Sequence, residues 1–279
     1  MTSVLPQTEE NIACLEASKL YCIRNDDLVF AFNGDILGDV ANDLSQNIPE
    51  GHGLIGTVLV GIHKIFAVPR ISGRRVGVQT EQLFDSHGKK MWKNFHEPRM
   101  RRHANGLDGV LDFSFSNTPA YAALRWNRQQ KIWFGPYVFP DFPVRFRARG
   151  SGITYVGSQS ERRKPILEGL AQAHPLKIAD QPIFGKDVAA FLTGGAGVLN
   201  IHHTEGIYSE VPRILKTYMA GKILYSEELA YPFIAGRHYL PLSDLGSPSR
   251  DPRDIFATLQ REIALPFRFS LFLQRFLQL

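Results

Sequence analysis

The sequence contains few cysteines and no long apolar run. Cys14 and Cys22 are its two cysteines, and they form no CxxC pair, which argues against a disulfide framework and a cysteine-based zinc site. No apolar run approaches the roughly 18 residues that a membrane-spanning helix needs. The opening residues, MTSVLPQTEEN, lack the basic and apolar regions of a signal peptide. We therefore expect a cytoplasmic protein without a transmembrane helix.

Motifs that hold metals or phosphates are also missing. The sequence has no HExxH and no Asp-x-Asp, the arrangement that often holds a cation against a sugar nucleotide. GxxxxGKS/T is absent as well, which disfavours a P-loop. We therefore predict no metal ligands and no bound cofactor.

The sequence does contain enough apolar residues for a large core. Of 279 residues, 44% are hydrophobic, which suits one large or two small domains, and we expect two. Short apolar runs alternate with helix-length segments, a pattern typical of parallel sheets that helices cover on both faces. The runs are DLVFAF, GLIGTVLVGI, RRVGVQ, DGVLDFSFS, KIWFGPYVF, GITYVGS, GVLNIHH and KILYSE. The predicted fold class is α/β.

A Pro- and Gly-rich stretch, FPDFPVRFRARGSG at residues 139–152, separates two series of strands and helices. We therefore predict a first domain over residues 1–145 and a second over residues 150–260. Residues 261–279 form a third segment with apolar residues at helical spacing, which predicts an amphipathic helix.

The amphipathic C-terminal helix has an aromatic face. This face comprises Leu265, Phe269, Phe272 and Phe276, and arginines and glutamines lie opposite. We expect the face to pack on the first domain. The alternative is an interfacial helix that makes a peripheral membrane contact.

The net charge of +5 is concentrated in one segment. Between Arg70 and Asn105 there are nine basic residues against three acidic ones. An ordinary solvated surface explains this excess. A surface for an anionic partner, such as an acidic glycan, a lipid headgroup layer or nucleic acid, explains it equally well.

Polar residues follow the apolar runs of the second half. Ligands of open parallel sheets bind beyond the carboxyl ends of the strands, so these residues are candidates for a binding site. They are Gly157 and Ser158, then Arg162 and Arg163 at the opening of a helix, then His202 and His203, and finally Ser226 and Glu227. Adjacent strand residues point to opposite faces, so we expect at most one of the two histidines to line the cleft.

The helix after Ile207 opens with polar residues suited to a ligand. Ser209 suits the N-cap, Glu210 the first helical position and Pro212 the first turn. The helix N-terminus and Arg213 favour a phosphate, while the Glu210 carboxylate suits the two hydroxyls of a ribose. Together they predict a nucleotide diphosphate site. A plain ion pair between Glu210 and Arg213 at i,i+3 spacing explains the same residues.

Seven segments follow one another in the order found in a known family. They are VGVQTEQL (76–83), GVLDFSFSN (109–117), YVGSQSERRKPIL (155–167), PIFGKDVAAFL (182–192), VLNIHH (198–203), SEVPRIL (209–215) and ILYSE (223–227). In this order they resemble GT-B glycosyltransferases, in particular the spore-maturation-type enzymes and their relatives in polysaccharide gene clusters. The resemblance implies two facing Rossmann-like domains, with a nucleotide sugar on the second and the acceptor entering from the first. Carried over to this sequence, it implies that Glu210 holds the ribose and that Arg162, Arg163 and Arg213 contact the diphosphate.

Glycosyl transfer needs a neutralised leaving diphosphate and, for inversion, a base on the acceptor hydroxyl. Without a metal motif, arginines and the helix N-terminus are expected to neutralise the diphosphate. The candidate bases are Glu81 in QTEQ and Asp35 in FNGDI, each after a predicted strand of the first domain. Loop capping is the structural alternative for both.

The leading hypothesis is a metal-independent glycosyltransferase that uses a nucleotide sugar as co-substrate to extend a surface glycan or a lipid-linked glycan. A DNA-base glycosyltransferase is the first alternative, in which the basic segment would track nucleic acid phosphates. A non-catalytic GT-B protein that binds nucleotide or glycan is the second.

Overall fold

The computed structural model describes residues 4–91 and 97–278. These residues divide into two compact units. The first unit takes residues 4–84, 88–141 and 267–278, and the second takes 85–87 and 142–266. The domains predicted from the sequence are contiguous along the chain, whereas each observed unit contains a segment from the other half. No helix among the described residues is long and apolar enough to cross a membrane.

Before residue 142, the described part of the first unit contains six strands, four α-helices and a 3-10 helix. In chain order they are α1 (Val4–Ala17), β1 (Tyr21–Asn25), β2 (Leu28–Phe32), α2 (Asp35–Gln46), β3 (Gly56–Val60), β4 (Arg75–Gln79), α3 (Glu97–Gly106), β5 (Gly109–Asp112), a 3-10 helix (Phe115–Tyr121), α4 (Trp126–Gln129) and β6 (Ile132–Phe134).

The second unit follows with five strands and four helices. They are β7 (Ile153–Tyr155), α5 (Arg163–Ala173), β8 (Leu176–Ile178), α6 (Gly185–Thr193), β9 (Gly197–Asn200), α7 (Val211–Met219), β10 (Ile223–Ser226), β11 (Leu240–Pro241), a 3-10 helix (Leu242–Asp244), α8 (Pro252–Leu259) and a π-helical turn (Gln260–Ala264). The last helix of the chain, α9 (Phe269–Leu277), belongs to the first unit.

The sheet of the first unit has its six strands in chain order, from β1 to β6. β1 pairs antiparallel with β2, and all other neighbours are parallel. Every residue of β2 is buried, as expected for an apolar strand covered on both faces. A core cluster joins α1, α3 and the 3-10 helix to the sheet through Leu15, Met100 and Tyr121.

The aromatic side chains of α9 are buried in the first unit. The ring centroids of Phe269 and Phe30 are 6.3 Å apart. Those of Phe272 and Phe276 lie 6.2 Å and 6.0 Å from the Trp133 ring centroid. Gly109 makes room for this helix, since a Cβ there would lie 2.5 Å from the Phe276 ring. The aromatic face of α9, for which the sequence allowed either protein or membrane contact, therefore packs within the first unit.

The C-terminal segment departs from the predicted single helix over 261–279. The π-helical turn ends at Ala264, Pro266 follows shortly after, and α9 begins at Phe269. A proline removes a backbone donor and clashes with the preceding turn, so a helix is not expected to continue through it. Leu265, which we assigned to the aromatic face, is 43% exposed, so this assignment is wrong.

The sheet of the second unit is wholly parallel and has the order β11-β10-β9-β7-β8. From β7 the chain passes to β8 on one side and then to β9 on the other, so the strand order reverses between β7 and β9. The core cluster of this unit includes Tyr155, Leu199, Ile223 and Ile255.

The predicted α/β class with parallel sheets is confirmed. Each of the eight apolar runs contains an observed strand, whereas β1, β8 and β11 were not predicted. β8 and β11 have three and two residues, which is too short for a visible pattern. MWKNFHEPRMRRHAN, at 91–105, is one of the helix-length segments between the apolar runs, and its residues 92–96 lie outside the described residues.

Candidate functional site

The reversal of strand order in the second unit marks a place for a ligand. In open parallel sheets a crevice forms beyond the carboxyl ends of the two strands between which the order reverses. Here these strands are β7 and β9. Gly157 and Ser158 follow β7, and His202 follows β9. The polar residues that the sequence analysis singled out therefore belong to neighbouring strand ends.

An Arg–Glu–Arg cluster occupies this position. Glu210 Oε1 accepts a hydrogen bond from Arg163 Nη2 at 2.6 Å, and its Oε2 lies 2.9 Å from Arg213 Nη2. The side chains of Arg163, Arg213 and Glu210 are 4%, 15% and 20% exposed. The i,i+3 ion pair between Glu210 and Arg213 is thus formed, but as half of a larger network that includes Arg163.

Arg163 is held on every side. Its Nε donates to the Ile201 carbonyl at 2.8 Å and its Nη1 to the Ser158 carbonyl at 3.3 Å. A buried guanidinium without such partners would be strongly unfavourable. Arg163 therefore joins the segments that follow β7 and β9, and its guanidinium holds the Glu210 carboxylate in place.

Arg213 packs over Tyr155 and requires a glycine beside it. The guanidinium carbon lies 5.5 Å from the ring centroid, a cation–π distance. At Gly157, where φ is +152°, a Cβ would lie 2.8 Å from Arg213 Nη2. The backbone conformation is one that residues with a Cβ rarely adopt, so the position calls for glycine. The Gly157 turn predicted from the sequence thus lies directly beside Arg213.

A second ion pair joins the N-cap of α5 to the residue that follows β10. Arg162 and Glu227 form a bidentate pair, with Nη1–Oε2 at 3.0 Å and Nη2–Oε1 at 2.5 Å. The Arg162 Nη1 also donates to the His202 carbonyl at 2.8 Å, and Glu227 Oε2 accepts from the His202 N–H at 2.6 Å. Burial raises the pKa of Glu227, but the hydrogen bonds from Arg162 and His202 outweigh it and hold the pKa below its ordinary value. The backbone of His202 is therefore clamped on both sides.

The start of α7 differs from the prediction. Glu210, rather than Ser209, is the N-cap, and the Ser209 hydroxyl donates to the Ala230 carbonyl at 3.2 Å. Pro212 has no N–H, and the N–H groups of Arg213 and Ile214 already donate to the Glu210 carbonyl. The first turn of α7 thus has few donors left for an anion, so the predicted contribution of this helix N-terminus to a phosphate site is not supported.

The two histidines lie beyond β9, which ends at Asn200, and not within the strand. His202 is 2% exposed, and His203 is exposed. Ser226 is buried at the end of β10, where its Oγ accepts a hydrogen bond from Asn200 Nδ2 at 2.8 Å. Among residues 4–91 and 97–278, no hydrogen bond or ion pair joins His203 or Ser226 to the Arg–Glu–Arg cluster.

Asn200 and Asp85 belong to this region and were missed from the sequence. Asn200 Oδ1 accepts from Arg213 Nη1 at 2.7 Å. In the sequence, this residue could have been recognised as a polar side chain at the end of an apolar run. Residues 85–87 belong to the same unit, and the Ser86 N–H donates to the Ile207 carbonyl at 3.0 Å. Asp85 is buried beside Gly206, and no local pattern indicates this contact.

The candidate bases lie at the carboxyl ends of strands in the first unit. Glu81 follows β4, and its Oε1 lies 3.9 Å from His63 Nε2, a group that follows β3. The His63 Nδ1 lies 3.2 Å from Gln79 Oε1. Burial lowers the pKa of His63 to about 4, so this imidazole is neutral at pH 7. Asp35 is exposed in the first turn of α2, the position where a carboxylate complements the helix dipole.

A buried amide holds the loop that carries Glu81. Asn117 Oδ1 accepts from the Leu83 N–H at 2.7 Å, and its Nδ2 donates to the Glu81 carbonyl at 2.9 Å. Asp112 Oδ1 accepts from the same Nδ2 at 2.8 Å, and Asp112 Oδ2 accepts from the Tyr121 hydroxyl at 2.9 Å. The network explains why the segment 109–117 ends in Asn.

No group of three or more His, Cys, Asp or Glu side chains among residues 4–91 and 97–278 has the arrangement of a metal site. The acids of the second unit's cluster are instead paired with arginines.

No protein-family model matches the chain, and no curated protein is similar to it in sequence. Solved structures of GT-B-type glycosyltransferases show a weak likeness. A point mutant of S. aureus TarM in complex with fondaparinux, α-GlcNAc-glycerol and UDP is 12% identical, with a TM-score of 0.36; the match covers 72% of this chain and 47% of that one.

Two further structures give similar values. TarM is 11% identical with a TM-score of 0.35 and covers 92% of this chain and 52% of its own. A GtfA/B complex bound to UDP and GlcNAc is 12% identical with a TM-score of 0.26 and covers 73% and 47%. The chain thus spans about half the length of these proteins. Likenesses of this size assign neither fold nor activity to it.

Proposed function

We propose that this chain is a glycosyltransferase of the GT-B type that transfers a sugar from a nucleotide-sugar donor to a glycan acceptor without a metal ion. The observation that carries the proposal is the arginine–carboxylate cluster at the strand reversal of the second unit. Its three arginines, Arg162, Arg163 and Arg213, face two glutamates. Among these five side chains the positive charges outnumber the negative ones by one, which suits a dianionic diphosphate better than a neutral ligand.

The hydrogen-bond geometry divides the roles among these residues. A carboxylate has about four acceptor positions, and Glu210 uses two of them for Arg163 and Arg213. Its remaining positions can accept the two hydroxyls of a ribose. Arg163 is nearly inaccessible, so we assign it to holding Glu210. The more exposed Arg162 and Arg213, with N–H groups to spare, are the candidates for the diphosphate.

For the acceptor we propose Glu81 as the base. Its side chain is 39% exposed and borders the imidazole of His63. Because this imidazole is neutral, it adds no positive charge that would oppose proton uptake by Glu81. The acceptor class proposed is a glycan of a surface polysaccharide, free or lipid-linked. Asp35 lies in the first turn of α2, where its carboxylate complements the helix dipole, and is the weaker candidate.

A thermal-shift screen of the full chain tests the donor site. The probes are UDP-, GDP-, CMP- and dTDP-sugars, each with and without EDTA. A ligand that binds only the folded state stabilises it by about 2.7 kcal/mol at a hundred times its Kd. We expect one nucleotide class to raise the melting temperature, unaffected by EDTA.

The matched variants are Arg213→Ala and Arg237→Ala, with each shift measured from the variant's own ligand-free melting temperature. Arg237 pairs with Glu262 at an exposed position of the same unit, so its loss should leave the ligand shift intact. Arg213→Ala should remove most of the shift. If no nucleotide sugar stabilises the wild-type chain, the proposed function fails; if EDTA removes the shift, the metal-free mechanism fails.

A further inference from the structure

The position of the His202 imidazole determines which of its two ring nitrogens donates a hydrogen bond and which accepts one. Its Nδ1 lies 2.9 Å from the Gly206 carbonyl oxygen. A carbonyl oxygen can only accept, so Nδ1 carries the hydrogen and donates it. The ring also packs against Tyr208 in a tilted arrangement, with centroids 4.2 Å apart and ring planes at 34°. Both contacts, together with the clamped backbone of His202, hold the ring in one position.

The other ring nitrogen, Nε2, is therefore an acceptor. Burial lowers the pKa of His202 and outweighs the opposite effects of the Gly206 carbonyl and of Glu227 and Glu210, so the ring is neutral at pH 7. Nε2 is buried, and within the described part of the chain it has no hydrogen-bond partner. Buried polar atoms are almost always partnered. An acceptor left alone directly after β9, at the strand reversal, indicates that a ligand supplies the donor.

The chemistry of the surroundings selects the kind of donor. Phosphate oxygens are acceptors and would be repelled by a lone pair on Nε2. A nucleobase edge presents an acceptor, a carbonyl oxygen or a ring nitrogen, beside its N–H groups, and the carboxylates of Glu210 and Glu227 both lie close enough to act on the His202 ring. A hydroxyl group can donate to these acceptors without bringing a carbonyl oxygen against them.

We propose that Nε2 of His202 accepts a hydrogen bond from a hydroxyl group of the bound ligand. The proposal rests on the proposed function for the identity of that ligand, which supplies hydroxyls from two sources, the ribose and the transferred sugar. His202 thus recognises a sugar ring, while Arg162 and Arg213 serve the diphosphate.

Two substitutions separate this role from a structural one. In His202→Asn the side-chain amide can still donate to the Gly206 carbonyl in place of Nδ1, but no acceptor remains at the position of Nε2. In His202→Gln the longer side chain brings its Oε1 toward the position of Nε2 and gives up the bond to Gly206. Both variants lose the ring contact with Tyr208, so each is the control for the other.

The melting temperature of each variant and the affinity for each nucleotide sugar of the panel and its parent nucleotide are measured by thermal shift and calorimetry. One neutral hydrogen bond corresponds to roughly a fivefold to tenfold change in affinity. We expect His202→Asn to be the more stable variant. It should nevertheless bind the nucleotide sugar roughly fivefold to tenfold more weakly than His202→Gln does. A loss limited to the nucleotide sugar identifies a hydroxyl of the transferred sugar, and an equal loss for the parent nucleotide identifies the ribose.

Wild-type affinity in His202→Asn would overturn the proposal, because Nε2 would then serve no ligand. Failure of every nucleotide sugar to bind the wild-type chain would instead overturn the proposed function. In that case methyl α- and β-D-glucoside replace the panel, and the His202 Nε2 resonance is followed by 15N NMR. A shift on addition of a glucoside supports the hydroxyl contact, and an unmoved resonance overturns it as well.

Discussion

Glu210 illustrates how a single side chain can satisfy two interpretations at once. Its spacing from Arg213 favours an ion pair, and its place at a helix start favours a ligand contact. The structure shows the ion pair and adds Arg163, whose guanidinium is 4% exposed and pairs with the same carboxylate. The carboxylate therefore compensates a buried charge before any ligand binds.

Replacing Glu210 should consequently destabilise the fold. Glu210→Ala leaves Arg163 buried without its counter-ion, and breaking a buried ion pair in this way costs about 3–5 kcal/mol; we expect about 3 kcal/mol because Glu210 itself is partly exposed. The free energy of unfolding is measured in urea. Glu168→Ala is the control, since Glu168 and Lys164 are both 64% exposed and such pairs contribute about 0–1 kcal/mol. Equal stability of the two variants would contradict a structural role for the cluster.

Asp112 is a fully buried acid in the first unit. Burial raises its pKa to about 7 against the hydrogen bonds from Ser114, Tyr121 and Asn117, which lower it. A raised pKa means that the folded state holds this proton more tightly than the unfolded state does. Stability from this group is therefore complete below the unfolded pKa near 4 and is lost as the pH rises through 7.

The Asp112→Asn variant tests this dependence. An amide cannot ionise. Its oxygen can still accept from the Ser114 N–H, and its NH2 group can donate to the Tyr121 hydroxyl oxygen. Between pH 5 and pH 8 the wild-type chain should lose on the order of 2 kcal/mol more unfolding free energy than the variant does. Urea unfolding at several pH values measures both curves. Parallel curves would mean that Asp112 is ionised throughout this range in the folded state.

The helix α9 shows what a helical pattern leaves open. The period of its aromatic residues predicts one apolar face, but an apolar face packs equally well on a sheet or on a lipid surface. The structure buries Phe269, Phe272 and Phe276 in the first unit, with Gly109 leaving space for the last of them. Packing on protein rather than membrane therefore depends on a glycine far away in the sequence.

A substitution in α9 checks this packing. Phe272 is fully buried, so Phe272→Ala should cost about 3–5 kcal/mol of unfolding free energy. Arg275→Ala, at an exposed position of the same helix, should change it by less than about 0.5 kcal/mol. Neither change should affect sedimentation with anionic liposomes. A stable Phe272→Ala variant that has lost liposome binding would favour the membrane alternative.

The two sheets differ in a property that no local pattern contains. In the first unit the strands lie in chain order, so its parallel strands have no reversal. In the second the order reverses between β7 and β9, and the polar residues after those strands become neighbours. Both units have similar apolar runs and similar helices. The candidate donor site therefore depends on strand order, which decides where strand ends converge.

The α/β class and the polar strand ends follow from the sequence alone, because hydrophobic periodicity and turn residues act over a few positions. Arg163, Glu210, Arg213 and Glu227 were recognised in this way. Which of them meet was decided only by the tertiary structure. Asn200, Asp85 and the amide of Asn117 escaped notice for the same reason, since their partners lie on other elements. Strand order, burial and long-range hydrogen bonds join residues far apart along the chain, and no window of sequence records those contacts.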